Sequence, residues 1–441
     1  MKKRILSLLL VICMVAGLLP MAASAEDAKV ASMTFAKGYT QNADGDKLSS
    51  DTSLTVTEGG EAAYALTTAE GLLTKDGANA NNYHIKFEYP AGGTPTLYLN
   101  GANIKNEANY GMRPGYGKGL FDLKVVVEAD SQVESNYGCI YTKGGDLTIT
   151  GPGKLSLTVT NLHSAIGVLK PNDIDQYDLY LKDANLDVKF SGVSGELVSV
   201  EKGNIYIENT TFKGVTGVGS AFNIKGDISV LNSTIDITTS WAGFTTAVGG
   251  ITIEKSTINA IAGFRPIDAK KDVLIKDSTA FLEGDHFENA AINVWGKFVI
   301  DNSTVEMFAL QMPIFTEGTI PTFVGYYRAV AGEDDDATAR YNEEFYDTYQ
   351  YMKVVPADTP EETTEETYED ETEESTEGTS QTPSNDTSNE TTNQPVTTPS
   401  NAPSDTGSNS DTVLLIVAAV MVLGSAVAAV LIIVKRRKSA E

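Results

Sequence analysis

Apolar and polar residues alternate through ISVLNSTIDI, residues 228 to 237, and close copies begin at 205 (IYIENTTFKG), 251 (ITIEKSTINA), 273 (VLIKDSTAFL) and 298 (FVIDNSTVEM). The starts lie 23, 23, 22 and 25 residues apart. Alternation with period two predicts short strands with one buried face, and self-similarity at a fixed period predicts stacked repeats. Each copy reads as an apolar-x-apolar strand, a turn, and a second apolar strand. First strands are marked by Leu97/Leu99, Leu147/Ile149, Leu179/Leu181, Ile205/Ile207, Ile228/Val230, Ile251/Ile253, Val273/Ile275 and Phe298/Ile300. Second strands begin at residues such as Leu186, Phe212, Ile235 and Ile258, and third strands such as Ile166/Val168 and Phe222/Ile224 close most coils. No single coil can bury its apolar side alone, so coils must stack, hydrogen-bonded about 4.8 Å apart. The pattern predicts an all-β chain: a parallel β-helix solenoid of about nine coils over residues 97 to 307. The open ends of such a stack need covers, and residues 26 to 96 and 308 to 355 are assigned as β-rich caps.

The two ends of the chain read differently. Lys2, Lys3 and Arg4 precede an apolar run over residues 5 to 19, and Ala23 and Ala25 supply the small side chains of a cleavage site before Glu26. This is the layout of a secretory signal peptide at residues 1 to 25. Only Cys139 would remain after cleavage, so no internal disulfide is expected. Residues 413 to 434 carry no charge, enough for about 33 Å of helix against a hydrocarbon core of about 30 Å. A transmembrane helix is therefore assigned at 412 to 434. The basic tail at 435 to 441 stays cytoplasmic and the body faces outward, at the cell surface. Residues 356 to 411 hold 15 Asp or Glu and no Lys or Arg, a composition expected to remain a disordered stalk. Pro403, Thr406 and Gly407 resemble a sortase signal for the cell wall, but the leading Leu is missing and an extra residue separates Pro from Thr, so a retained span is expected.

Charge narrows the partners. Of the net −26, −17 falls on residues 26 to 355. Nucleic acid is not an expected partner of so acidic a body, and a polyanionic sugar would need a bridging cation or a basic patch.

The Gly-Asp and Gly-Asn corners, the Asn-Ser-Thr turns and the exported, stalked layout resemble right-handed parallel β-helices of the pectate-lyase-like superfamily. They resemble especially bacterial surface proteins of that fold described as carbohydrate-binding. The resemblance covers roughly residues 90 to 310. It implies polysaccharide binding, often with calcium, and in some members cleavage of uronate polymers.

Outward positions of the first strands carry no charge, and Asp187, Lys213 and Asp236 on adjacent coils read as a solvated ladder of opposite charges. His84, His163 and His286 have no Ser or Cys at a spacing that suggests a triad, and no catalytic residue is assigned. Residues 333 to 336 lack the alternating carboxylates of a calcium loop, and no cofactor is read from the residues. The N-x-[ST] matches at Asn209, Asn232 and Asn302 share one coil position with Asp277, which favours a turn role over glycosylation.

Binding has a clearer signal. Eight residues after the first Ser of the turn stand Trp241, Phe264 and His286 on successive coils, with Phe244, Arg265 and Phe287 close by. Stacked coils would align these rings along one flank, where flat apolar faces suit sugars. Asn223, Asp268 and Asn293 on the third strands add groups able to bond hydroxyls. The alternative is that the rings turn inward and plug the corners of the core. Tyr180 and Tyr206 form a second platform. Surface polysaccharide binding is the function expected; the alternatives are a structural adhesin recognising protein or displaying caps, and a calcium-dependent polysaccharide lyase.

Overall fold

A computed structural model describes residues 29 to 36, 40, 41, 47, 48, 51 to 75, 77 to 107, 110 to 114, 121 to 170, 174 to 285, 290 to 317, 320 to 324, 327 to 333, 335, 340 and 349 to 356. All fall in the first of two compact units, Met1–Thr363. The expected signal peptide, stalk, membrane span and basic tail lie outside the described residues, as do His286 and Phe287. Among the described residues no helix is long and apolar enough to cross a membrane.

The repeated strands pair in parallel, residue over residue. Leu179 lies over Ile205, Ile205 over Ile228, Ile228 over Ile251, Ile251 over Val273 and Val273 over Phe298. The same stacking builds a second sheet from strands such as Thr211–Thr216 and Thr234–Thr239, and a third from strands such as Phe222–Ile224 and Ala242–Thr246. The result is an all-β parallel solenoid of about nine turns. Side chains alternate as the pattern requires: Ile228 and Val230 are buried, whereas Ser229 between them meets solvent.

The turn between first and second strands explains the N-S-T spelling. Asp183, Asn209, Asn232, Lys255, Asp277 and Asn302 adopt φ between 45° and 50°, a left-handed conformation that Asn and Asp tolerate better than most residues. Their side chains also bond from coil to coil. Asn232 Nδ2 donates to Asn209 Oδ1 at 2.7 Å and Asn302 Nδ2 to Asp277 Oδ1 at 2.6 Å. The next residue turns inward: the buried Ser233, Ser256, Ser278 and Ser303 hydroxyls each accept the backbone N–H one coil earlier at 3.0 to 3.1 Å. These buried hydroxyls satisfy donors that would otherwise cost about 1 to 3 kcal/mol each. The asparagines of the sequon matches are therefore held in turn ladders.

A second ladder closes the corner from third to first strand. Asp122, Asp146, Asp178, Asn204 and Asp227 each accept the corner N–H one coil on, at 2.7 to 2.9 Å. It stops at Gly250, which has no side chain to offer, and resumes with Asp272 to the N–H of Lys297 at 2.8 Å. Burial first, and then the charges of Asp122 and Asp178, hold the Asp146 carboxyl above the ordinary range against the hydrogen bond from Asp178.

The stack differs from the sequence reading in two places. Parallel pairing continues past residue 307, through Met312–Thr316 and Thr322–Val324. Leu97 lies over Val125 and Val125 over Ile149, so Tyr98 stacks on Val126 and Thr150 and not on Thr148. The coil around Val125 enters its strand earlier, which shifts the alignment by one in-out pair.

Antiparallel strands meet both ends. Ile85–Glu88 pairs with Thr96–Asn100 at the first coil, and Tyr351–Pro356 pairs with Thr304–Ala309 at the last. Each satisfies a row of backbone groups that would otherwise be an open edge.

Phe222 is fully buried in the core, with ring centroids 4.8 Å from Phe212 and 5.0 Å from Phe244. Truncation to alanine should cost about 3 to 5 kcal/mol, because the rigid coils above and below cannot collapse into the cavity. Lys213→Ala, which removes a solvent-exposed ion pair to Asp236, should cost within about 0.5 kcal/mol. Urea unfolding followed by circular dichroism measures both.

Candidate functional site

Trp241 and Phe264 occupy the corner where the second sheet turns into the third. Trp241 immediately precedes Ala242–Thr246, and Phe264 immediately precedes Arg265–Ala269. The backbone N–H of Phe264 donates to the Trp241 carbonyl at 2.9 Å, which sets one side chain directly over the other. Their rings stack at 4.5 Å with planes 7° apart, and Trp241 is 53% exposed. These two rings therefore face outward; they do not plug the core. Stacking of this kind contributes about 0.5 to 1.5 kcal/mol beyond area burial and holds the two rings in parallel planes, one over the other.

Polar groups adjoin the stack. The Arg265 guanidinium lies 4.5 Å from the Phe264 ring centroid, and its Nη1 is 3.1 Å from Asp268 Oδ2. Asp268 Oδ1 accepts Asn293 Nδ2 at 2.8 Å, so Arg265, Asp268 and Asn293 form one network beside the rings. Asn293 is buried, which leaves Arg265 and Asp268, with side chains 24% and 21% exposed, as the accessible members. Asn223 lies in the same outward column, with Thr245 between it and Asp268, and donates to Glu196 Oε1 at 3.1 Å.

Phe244 does not belong to this group. It is fully buried and stacks on Phe222 with planes 1° apart, because it takes the inward position over Phe222 and under Ile267. Of the remaining sequence candidates, His286 and Phe287 are outside the described residues. Tyr180 and Tyr206 do stack, at 5.1 Å and 11°, on the outer face of the first sheet. Burial, aided by Asp178 and Asp146, pushes the Tyr180 hydroxyl up to about 12.

Asp187, Lys213 and Asp236 do stack on adjacent coils, but only Lys213 and Asp236 pair, at 4.0 Å; Asp187 is instead 3.0 Å from Lys154 on the coil before, and partly exposed pairs of this kind are worth about 0 to 1 kcal/mol. Among the described residues no three His, Cys, Asp or Glu side chains come together as a metal site. A shallow depression of about 270 Å³ between Asn103, Gln132 and Lys154 has no aromatic wall.

Sequence reading missed a second aromatic group at the same corner, made of Tyr110, Tyr137, Tyr141 and His163. Tyr110 lies 4.7 Å from Tyr141 and 5.7 Å from His163 between ring centroids, and the Arg113 guanidinium is 4.3 Å from the Tyr110 ring. Position within the coil was the available signal. The N-S-T turn that marks this position in later coils is absent from the coils carrying Tyr137 and His163.

No family model, no curated protein and no solved structure matches the chain. The functional reading therefore rests on the site's own chemistry.

Behind this corner Cys139 is fully buried, with its thiol directed at the carbonyls of Val133 (3.3 Å) and Thr158 (3.4 Å). Burial pushes the thiol up to about 12. At about pH 8 iodoacetamide should leave the folded protein unmodified and alkylate it in denaturant. The raised value means the fold favours the neutral thiol. Its contribution to stability is present below the ordinary thiol value and should be lost as pH rises from about 8.5 toward 12, which pH-dependent unfolding of Cys139→Ser against the native chain would measure.

Proposed function

We propose that this chain is a cell-surface polysaccharide-binding protein, with the β-helix as the binding body and the acidic stalk and apolar span expected at 356 to 434 as its tether. The observation that carries the reading is the half-exposed Trp241 ring stacked on Phe264, with the Arg265 and Asp268 network beside it. The exposed Trp241 ring, held by the Phe264 ring against one of its faces, offers an aromatic face that suits the C–H face of a pyranose ring, and adjacent charged groups can hydrogen-bond its hydroxyls. Because both rings stand on hydrogen-bonded coils, little ordering is needed on binding, which favours affinity. The −17 charge of the body repels polyanions, so a neutral glycan is the favoured ligand.

Retention on a panel of insoluble neutral and anionic glycans tests this. The native chain should be held by at least one neutral glycan. Trp241→Ala should weaken that binding by at least about tenfold, ~1.4 kcal/mol, without moving the thermal midpoint by more than a few degrees. Trp295 supplies the other indole, so a Trp295→Phe background allows Trp241 fluorescence to report the contact directly. Retention on no glycan, or full binding by Trp241→Ala, would remove the reading and leave a rod that displays caps or recognises protein.

A further inference from the structure

We infer that the ligand strip continues from Trp241 and Phe264 along the same corner to the Tyr110, Tyr137 and His163 rings, so that the ligand is a linear neutral glycan lying parallel to the solenoid axis. The inference rests on the polysaccharide reading and adds to it a ligand shape and a second subsite.

Register carries it. In the third sheet Ile140 lies over Ile166, then Val198, Phe222, Phe244 and Ile267 in turn. The residues three positions before these form one corner column: Tyr137, His163, Gly195, Gly219, Trp241 and Phe264. Two aromatic groups thus flank two glycines. Backbone contacts confirm the alignment: the His163 N–H donates to the Ser194 carbonyl at 3.1 Å, and that of Leu197 to Ser220 at 3.2 Å. At about 4.8 Å per coil, His163 and Trp241 are separated by roughly 14 Å and the whole column spans about 24 Å.

The middle of the column is a trough. A Cβ on Gly195 would collide with the carbonyl oxygen of His163, and one on Gly219 with that of Gly195; Gly219 also has φ of +73°. Glycine is required at both places for the coils to approach, and its consequence is a floor with no side chain between two aromatic walls. Both glycines touch solvent. The floor has fixed polar groups: Glu196 accepts Ser164 Oγ at Oε2 (3.0 Å) and Asn223 Nδ2 at Oε1 (3.1 Å).

The wall at the Tyr end is constructed as the Trp end is. The exposed His163 ring stacks near-parallel to Tyr110 at 27°, Tyr137 lies 6.1 Å from His163, and Arg113 covers Tyr110 much as Arg265 covers Phe264. Tyr141 anchors the group from below: buried, with its hydroxyl accepting the Ser164 N–H at 2.7 Å. A disaccharide could engage one wall only. A longer chain crossing the glycine floor engages both, and the second contact becomes intramolecular.

Isothermal titration with the di- and hexasaccharides of β-linked glucose, xylose, mannose and N-acetylglucosamine tests the strip. The native chain should bind one hexasaccharide at least about tenfold more tightly than its disaccharide. The double variant Tyr137→Leu and His163→Asn removes both rings while Asn tolerates the +65° φ of His163. It should lower hexasaccharide affinity to the disaccharide level with an unchanged thermal midpoint. A native chain that binds a disaccharide through Trp241 yet gains nothing with length overturns the strip and leaves the function standing. So does a length gain that survives in the double variant, or in Tyr137→Leu alone should His163→Asn fail to fold. Binding of neither length overturns the function and the strip together.

Discussion

Each coil carries an apolar side that it cannot cover by itself, so the structure depends on parallel hydrogen bonding that seats one coil over the next in residue-for-residue register. That register lets Leu179, Ile205, Ile228, Ile251, Val273 and Phe298 form one buried column. A slip of one residue would turn every member to solvent. The turns resist such a slip. The buried serine hydroxyls from Ser233 to Ser303 and the carboxylate and amide corner groups from Asp122 to Asp227 each require the N–H of one particular neighbour. Packing supplies the driving force, and the polar ladders select the register.

The same constraint bears unevenly on the three sheets and their corners. Strand interiors must alternate and must present apolar residues inward, which leaves little freedom. At the corner from second to third sheet the backbone still bonds to its neighbours, but the side chain in the column faces water. Tyr137, His163, Gly195, Gly219, Trp241 and Phe264 can therefore differ widely while the stack remains intact. Rings placed there inherit the regular spacing of the coils. The scaffold is stiff because every coil is hydrogen-bonded on both sides, so the spacing between rings is largely set before any ligand arrives.

Electrostatics acts at longer range. The body is acidic and its surface ion pairs are exposed, so they contribute little to stability. Both arginines at the aromatic walls lie against rings, and Arg265 is also paired with Asp268. Neither wall presents the open basic patch that an anionic polymer would need against the field of the body.

The coil period over residues 179 to 307, strand alternation and turn positions were legible in the chain, because each is specified by residues a few positions apart. Ile228, Val230 and Asn232 announce a buried strand followed by a turn by themselves. The facing of aromatic side chains was only partly legible. Trp241 and Phe244 stand three residues apart in similar company, yet one is half in water and the other fully buried. Which of them points inward depends on where the chain bends after Thr239, and that bend is placed by pairing of Phe244 with Phe222 and Ile267. The Tyr110, Tyr137 and His163 group was signalled only by position within the coil, because its coils lack the N-S-T turn that marks the position of the other rings. Local sequence thus determined the repeat and its turns. Only contacts between residues a coil or more apart, which no local signal encodes, decided which rings share one corner and which of them meet water.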